Sequence, residues 1–394
     1  LSSYAQKTEL RPGAAKLPGA ALFRPLCFSR FVANSRLNPD AEEKLYVDYT
    51  FEDVAAIAEH WKRDLEIDRA HVLISGWTRR GYDNQHPDVL PAAAECGGNV
   101  ALADAVDRMR AIGYVVGLHD NYNAMYLDAP SWDEEALRYH EDGTPYLGGE
   151  WAGGRPRFLC PVKGLELAKR NVPEVAAKFA LNAYFLDVIY AAYLRDCHHP
   201  GHPLDLAGDR DAKQRLAEYM HEHFEIFGSE GGVEWGANEA EFFEGILTEY
   251  MDPEIRDRVF PWFEMVFHDA VQIYTHAWDR ATPDRNDYVS ACVSLAHMPS
   301  YGLPNGAYFD IEPSEWTWSA LHRYYGPRHV RIPGNRLELD EADCAFARGD
   351  DGWPAHLCPV DRFVKNTYEV LSPLNRLCAD KRLTLFDRRA DGLL

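Results

Sequence analysis

The chain has 394 residues, 46% of them hydrophobic, ample for one large domain or two ordinary ones. Its formal net charge of -21 sets it against nucleic acid and anionic membrane surfaces, and no apolar run approaches the ~20 residues that cross a bilayer. Eight cysteines, at positions 27, 96, 160, 197, 292, 344, 358 and 378, include no C-x-x-C pair, which favours reduced, buried thiols over a disulfide framework or zinc.

The chain opens on Leu1 without a signal-peptide pattern and reads as a segment of a longer protein, or as one whose leader is gone; its thiols suit the cytoplasm. Residues 1–20 are polar, with Pro and Gly, and read as an N-terminal tail or linker. The run from Leu22 to Phe28 is a candidate first strand, weakened by Pro25. Thr50 and Asp53 make a capping-box-like start, and Val54, Ile57, Ala58, Trp61 and Leu65 follow at helical spacing. Residues 71–77 form a short buried strand that runs into the polar, Gly-rich loop 78–85. A helix is predicted over 100–112, stopped by Gly113. The next buried strand, 114–118, ends on His119, Asp120, Asn121 and Tyr122. The stretch 123–160, rich in Gly, Pro and Trp, is too long for an ordinary connection and has the length of a lid or binding loop. Residues 165–179 are helical, with a break expected at Pro173.

Residues 181–190 are almost continuously apolar, β-branched and aromatic, interrupted by one carboxylate, Asp187, which is the pattern of a strand buried on both faces. A helix over 211–222 follows, then a strand over 224–228 that enters Ser229-Glu230-Gly231-Gly232. Residues 259–267 read as a later strand ending on His268 and Asp269. Helical patterns occupy 288–298 and 363–378. A last strand pattern at 382–386 makes 381–394 the expected start of a truncated C-terminal β segment.

Strand and helix alternate at least five times, with polar loops on the carboxyl side of each strand, the signature of parallel βαβ units. Over 21–380 this fits an α/β fold, a (β/α)8 TIM barrel with long βα-loop insertions, better than a doubly wound sheet. No G-x-G-x-x-G or P-loop follows a strand, which removes the usual reason for an open nucleotide-binding sheet.

Catalytic groups of such barrels gather at the carboxyl ends of the strands. An acid there is rarely inert, because a buried unpaired charge is costly or shifts its pKa instead. Asp187 and Glu230 end two strands joined by one helical crossover, so they face one mouth as neighbours. A carboxyl pair there equips a glycosidase: one attacks the anomeric carbon or activates water, and the other protonates the leaving oxygen. A gap of about 5–5.5 Å retains anomeric configuration, and one of about 6.5–9.5 Å inverts it. The alternative for either acid is a salt bridge to an Arg inside the barrel.

The strand Tyr184-Phe-Leu-Asp187-Val-Ile189, the loop His199-Pro-Gly-His202-Pro-Leu204 and the segment Phe227-Gly-Ser-Glu230-Gly-Gly232 resemble the barrel of glycoside hydrolase family 129. That family is related to the family 101 endo-α-N-acetylgalactosaminidases. The similarity extends loosely over 70–300, and its most specific part is the pairing of the two acids. The resemblance implies a retaining α-glycosidase with Asp187 as nucleophile and Glu230 as general acid/base, acting on α-linked N-acetylgalactosamine or galactose. Those enzymes carry flanking β-sandwich domains, which would lie elsewhere in a longer chain, and the loop 123–160 has no match in them.

Other strand ends supply polar groups. His119, Asp120 and Asn121 are expected to hold sugar hydroxyls, with burial in a barrel layer as the alternative. Trp77 and Arg79, with Tyr82, would form a stacking wall, unless Trp77 packs in the core. Tyr190 would steady Asp187 by a hydrogen bond. Glu234 and Trp235 would reach the leaving group or cap the next helix, and His268 and Asp269 would contact substrate. The histidines of loop 198–202, beside Asp196 and Asp205, sit in a Pro-rich stretch and not as H-x-H at a strand end. No catalytic metal and no cofactor are therefore expected, with a structural calcium ion left open. Three functions compete: a glycosidase acting on a carbohydrate partner, a metal-dependent hydrolase on the same barrel, and a carbohydrate-binding barrel without turnover. The last would suit an apolar or amide residue at 187 or 230, and neither is present.

Overall fold

The computed structural model describes residues 4–246, 261–276, 286–301, 359–381, 388–389 and 392–393. Its frame is eight parallel strands: β1 (Ala21–Phe23), β2 (Ala70–Ile74), β3 (Val115–Asp120), β4 (Ala183–Leu186), β5 (Ile226–Gly232), β6 (Phe242–Ile246), β7 (Gln272–Tyr274) and β8 (Ser300–Tyr301). Strands adjacent in sequence pair from β1 to β7, and β8 pairs with β1 through Leu22 and Ser300. A parallel bridge between Tyr274 and Met298 joins the remaining edge, and the sheet closes into a (β/α)8 barrel. Strands β2 and β4 are buried along their whole length, as helices on the outside and side chains on the inside require.

The helices are α1 (Tyr4–Leu10), α2 (Phe51–Arg63), α3 (Gly98–Ala111), α4 (Pro161–Lys178), α5 (Leu206–Met220), α6 (Trp262–Phe267), α7 (Asn286–Leu295) and α8 (Pro359–Cys378). Helix α2 opens on a complete capping box: Thr50 accepts from the Asp53 N–H, and the Asp53 carboxylate accepts from the Thr50 N–H. Its Trp61 sits between Phe23 of β1 and Tyr301 of β8, with ring centroids 5.0 and 5.6 Å away, and so packs the seam where the barrel closes. Helix α3 ends at Gly113, whose φ of 93° is the left-handed turn that glycine takes without strain.

Four expectations change. Helix α4 starts earlier, with Pro161 in its first turn, and runs through Pro173 without the expected break. The described part of the segment 259–267 is no strand: α6 occupies it, because Glu264 and Phe267 are buried at helical spacing while Trp262 faces outward. Strand β6 carried no signal from alternation, because a single 3-10 turn, Glu234–Gly236, joins it to β5 without a helix. Finally, residues 4–20 are not a tail. Lys7 is buried, its ammonium donates to the carbonyls of Ala237 and Ala240 below β6, and Arg11 pairs with Glu241 at 2.5 Å. Helix α1 thus closes the amino end of the barrel. The strand pattern at 382–386 lies outside the described residues, beyond which Arg388–Arg389 pairs with Gly392–Leu393.

The stretch 123–160 folds over the opposite end. Ala124–Met125 pairs antiparallel with Arg157–Phe158, over a small apolar cluster of Met125, Ala136, Leu137 and Leu159.

One buried ion pair fastens the last helix to the first half of the barrel. His60 of α2 contacts Asp361 of α8 through Nε2 at 2.8 Å and Asp64 through Nδ1 at 2.7 Å. Burial opposes a charge on His60, but the two carboxylates outweigh it and raise its pKa to about 9. Stability from a raised histidine pKa is fully present below the unfolded value near 6.5 and is lost as pH rises to about 9. Denaturant titrations should therefore show stability falling by about 2–3 kcal/mol between those limits, and Asp361→Asn should flatten the slope. An unchanged slope in the variant would remove His60 from the account.

Candidate active site

Asp187 follows the last residue of β4, and Glu230 lies near the carboxyl end of β5. The register Leu186–Ser229 sets them side by side, and the Ser229 hydroxyl donates to the Leu186 carbonyl at 2.6 Å. Val188, next to Asp187, has a φ of 49°. A β-branched residue in the left-handed region costs about 1–3 kcal/mol and persists only where its surroundings dictate it. The turn after Asp187 is packed on Gly231, where a Cβ would come within 2.7 Å of Ala191. Asp187 receives a hydrogen bond from Asn121 Nδ2 at 3.2 Å, and the Asn121 oxygen is held by the N–H groups of Asn123 and Ala124. The charge of Glu230 acts directly on Asp187 across the rim.

Behind the pair runs a chain of buried charges. His276, two residues past β7, meets Glu230 Oε1 through Nε2 at 2.8 Å and Glu244 Oε1 through Nδ1 at 3.3 Å. Glu244, in β6, also accepts from Ser300 Oγ at 2.9 Å and pairs with the Arg24 guanidinium. Arg24, just past β1, donates to His119 Nδ1 at 2.7 Å and to Ser75 Oγ at 3.4 Å. Burial opposes a charge on His276, yet Glu244 and the hydrogen bond to Glu230 raise its pKa. Burial pushes Glu230 upward, but His276 and then Arg24 hold it below its ordinary value. Burial, then the charges of Glu230 and Asp83, lift Asp187 well above the usual carboxylate range. Of the two acids, Asp187 therefore holds a proton the more readily. Asp83, on the loop after β2, is raised by burial to about 6.

Of the expected residues, His119 and Asn121 join the two acids. His119 is kept neutral, chiefly by burial and then by the charge of Arg24, and its Nε2 stands 3.9 Å from Asp187. Asp120 is buried behind the site, taking hydrogen bonds from Tyr184 and the Asn121 N–H. Trp77 packs on Phe179 and donates to the His119 carbonyl at 2.7 Å, so it is core and no stacking wall. Arg79 is half-buried in the same loop, its N–H bonded to Val89. Tyr82 of that loop meets the His119 ring at 5.2 Å. Tyr190 does not steady Asp187: it lies among Phe227, Trp235 and Phe243 on the outside of β5 and β6. Trp235 packs on it there, and Glu234 is exposed on the 3-10 turn. His268 and Asp269 precede β7 and so sit at the amino end, His268 lining a crevice with Pro18 and Asn375. Arg24, Glu244, His276 and Asp83 went unread in the sequence. The acid of Glu244 in Phe242-Phe-Glu-Gly-Ile246 repeats the Asp187 pattern and was the available signal.

Asp83, His119 and Asp187 offer atoms within 4.8 Å of one another, the nearest thing to a catalytic metal cluster among the described residues. The guanidinium of Arg24 already donates to His119 Nδ1, which leaves the ring proton on Nε2, facing Asp187. A nitrogen that carries its proton toward a carboxylate is a donor and not a ligand, so this arrangement fits the metal-dependent alternative poorly.

Residues 85–259 match the family model of glycosyl hydrolases related to GH101 family, GH129, and the chain is GH129-like across the segment that holds both acids. The alpha-N-acetylgalactosaminidase NagBb from Bifidobacterium bifidum, in its GalNAc complex, matches with a TM-score of 0.75 at 21% identity, over 98% of this chain and 55% of that one. Its Gal-NHAc-DNJ complex matches with a TM-score of 0.75 at 21% identity, over 98% and 56%. TtGalA, an alpha-galactosidase from Thermus thermophilus, matches with a TM-score of 0.46 at 17% identity, over 73% and 61%. The chain thus spans about half the length of NagBb, and what they share is the fold. No curated protein matches it.

Replacing Arg24 by Met leaves Glu244 buried with one cation in place of two. Breaking such a pair is expected to cost about 3–5 kcal/mol in denaturant unfolding, against no more than about 0.5 kcal/mol for Glu234→Gln on the surface. Equal midpoints for the two variants would show that the network is not holding the rim.

Proposed function

We propose that this chain is the catalytic barrel of a retaining α-glycoside hydrolase that acts on α-linked N-acetylgalactosamine or galactose through a glycosyl-enzyme intermediate on Asp187. The observation that carries the reading is the placement of the acids, neighbours on β4 and β5 at the carboxyl rim, where the charge of Glu230 acts on Asp187. A pair about 5–5.5 Å apart retains configuration, whereas an inverting enzyme fits a water into a gap of about 6.5–9.5 Å. The GH129-like segment supports the reaction class, and NagBb, an alpha-N-acetylgalactosaminidase seen with GalNAc, supports the sugar.

The proton that Asp187 holds is the catalytic one. A glycosidic oxygen arriving beside Glu230 draws that proton over to Glu230, and Asp187 becomes a free carboxylate. Glu230 then gives the proton to the leaving oxygen as the anomeric carbon–oxygen bond breaks and the Asp187 carboxylate bonds to that carbon. His276 and Arg24 strengthen Glu230 as an acid and stabilise the carboxylate it becomes. In the second half Glu230 takes a proton from water, the water oxygen attacks the anomeric carbon, and Asp187 leaves. His119 Nε2 and Asp83 face the same space and are placed to meet sugar hydroxyls. Trp151, 42% exposed on the turn that Gly153 fastens to Asp83, offers a ring face to the sugar.

The charge distribution without ligand favours a second reading, in which Glu230, already ionised, attacks and Asp187, already protonated, is the acid. A fluorinated glycosyl fluoride that stalls the intermediate separates the two: peptide mapping finds the label on Asp187 in the first case and on Glu230 in the second.

On p-nitrophenyl α-N-acetylgalactosaminide, Glu230→Gln is expected to lower kcat by about 100- to 10,000-fold. An aryl group that departs without protonation should restore kcat/KM, which reports the first half, and azide, which needs no base to attack, should restore kcat. Asp187→Ala should be inactive on both substrates. NMR should show the α-anomer as first product; a β-anomer first, or turnover near that of the parent in both variants, would defeat the proposal.

A further inference from the structure

A second constellation lies away from the acids. The sulfurs of Cys160 and Cys197 and a ring nitrogen of His202 all lie within 4.8 Å of one another, and all three side chains are buried. Cys160 precedes α4, at the end of the 123–160 stretch; Cys197 and His202 belong to the loop between β4 and α5. His202 Nε2 donates to the Glu135 carbonyl at 2.9 Å. Its proton is therefore fixed on that side, and the lone pair of Nδ1 points at Cys197 Sγ, 3.5 Å away. A histidine turned in this way by a backbone carbonyl is the usual support of a metal ligand.

We propose that Cys160, Cys197 and His202 bind a zinc ion, with solvent oxygen in the fourth position. Bond lengths of about 2.3 Å to sulfur and 2.0–2.1 Å to nitrogen, at a tetrahedral angle, put a sulfur and a nitrogen roughly 3.6 Å apart. The observed 3.5 Å needs almost no rearrangement. Two thiols and an imidazole are soft donors that select zinc over calcium or magnesium. A disulfide, the competing use of two neighbouring cysteines, would leave His202 Nδ1 with nothing to face, and both cysteines are free thiols here. The ion would staple the 123–160 stretch to the loop that follows Asp187, and its role is structural whatever the barrel's reaction proves to be.

The test uses the whole chain purified without chelator. Elemental analysis should find one zinc per chain, and stripped protein titrated with Co2+ should develop a sulfur-to-cobalt charge-transfer band. Cys197→Ser should roughly halve that band, Cys160→Ser with Cys197→Ser should abolish it, and His202→Ala should weaken zinc binding at least tenfold. Zinc removal should also speed proteolytic cutting between residues 190 and 205. Should the variants fail to fold, the cobalt titration of the parent chain decides alone. Absence of zinc uptake and of the band, zinc retained in full by the double variant, or a Cys160–Cys197 disulfide in the unreduced protein by mass spectrometry would each overturn the proposal.

Discussion

The rim of this barrel is governed by a shortage of positive charge. Four carboxyls, Asp83, Asp187, Glu230 and Glu244, stand around the guanidinium of Arg24 and the imidazole of His276, with His86 acting on Asp83 and the neutral His119 between Arg24 and Asp187. Two cations can balance two of the acids, and geometry decides which: Glu244 touches both, and Glu230 touches His276. The other two acids are the ones that burial raises, Asp83 to about 6 and Asp187 well above its usual range. In water the four would ionise independently. Buried together they cannot, since each added negative charge costs more than the last. Asp187 is therefore the acid that holds a proton most readily, and Glu230 the one that gives it up.

Every strand of the barrel contributes to that arrangement. Arg24 follows β1, Ser75 follows β2, His119 is in β3, Asp187 follows β4, Glu230 and Glu244 are in β5 and β6, His276 follows β7, and Ser300 is in β8. Arg24 meets Ser75, His119 and Glu244, Glu244 meets Ser300 and His276, and His276 meets Glu230, so the network works as a clasp that reports whether the sheet has closed. The bridge from Tyr274 to Met298 and the wedge of Trp61 between β1 and β8 secure the same closure from the apolar side. Chemistry and architecture are thus hard to separate here: a barrel with one strand out of register would lose a charge partner at its mouth.

This also explains which parts were legible in the sequence. The acids on β4 and β5 stood out because a carboxylate in an apolar run has no bland solution, and the intervening α5 told that the strands were neighbours. Their counter-charges did not stand out. Strands β7 and β8 are three and two residues long, below the reach of any periodicity, so His276 had no visible strand to end. The histidine chosen in its place, His268, precedes the strand that His276 follows, and a strand's two ends face opposite sides of a barrel. Lys7 misled for a related reason: a polar residue reads as solvent-facing, and only the carbonyls of Ala237 and Ala240 show why it is buried. The fold class survived such errors because alternation over five strands already demands a parallel sheet with helices outside.

The rim loops are tied to the clasp by contacts of a different kind. Gly153 donates to the Asp83 carbonyl at 2.9 Å, and a Cβ there would meet that oxygen and the Tyr126 ring at 2.8 Å. The 123–160 stretch therefore docks on the loop after β2 through a spot where only glycine fits, two residues after Trp151. Sterics, not charge, set that position. Strand ends supply a reactive pair that depends little on what the loops contain, while the loop surface, free of the burial constraint, can vary with the sugar it must fit. Changes in the residues of such loops leave the strand ends, and the charges that meet there, in place.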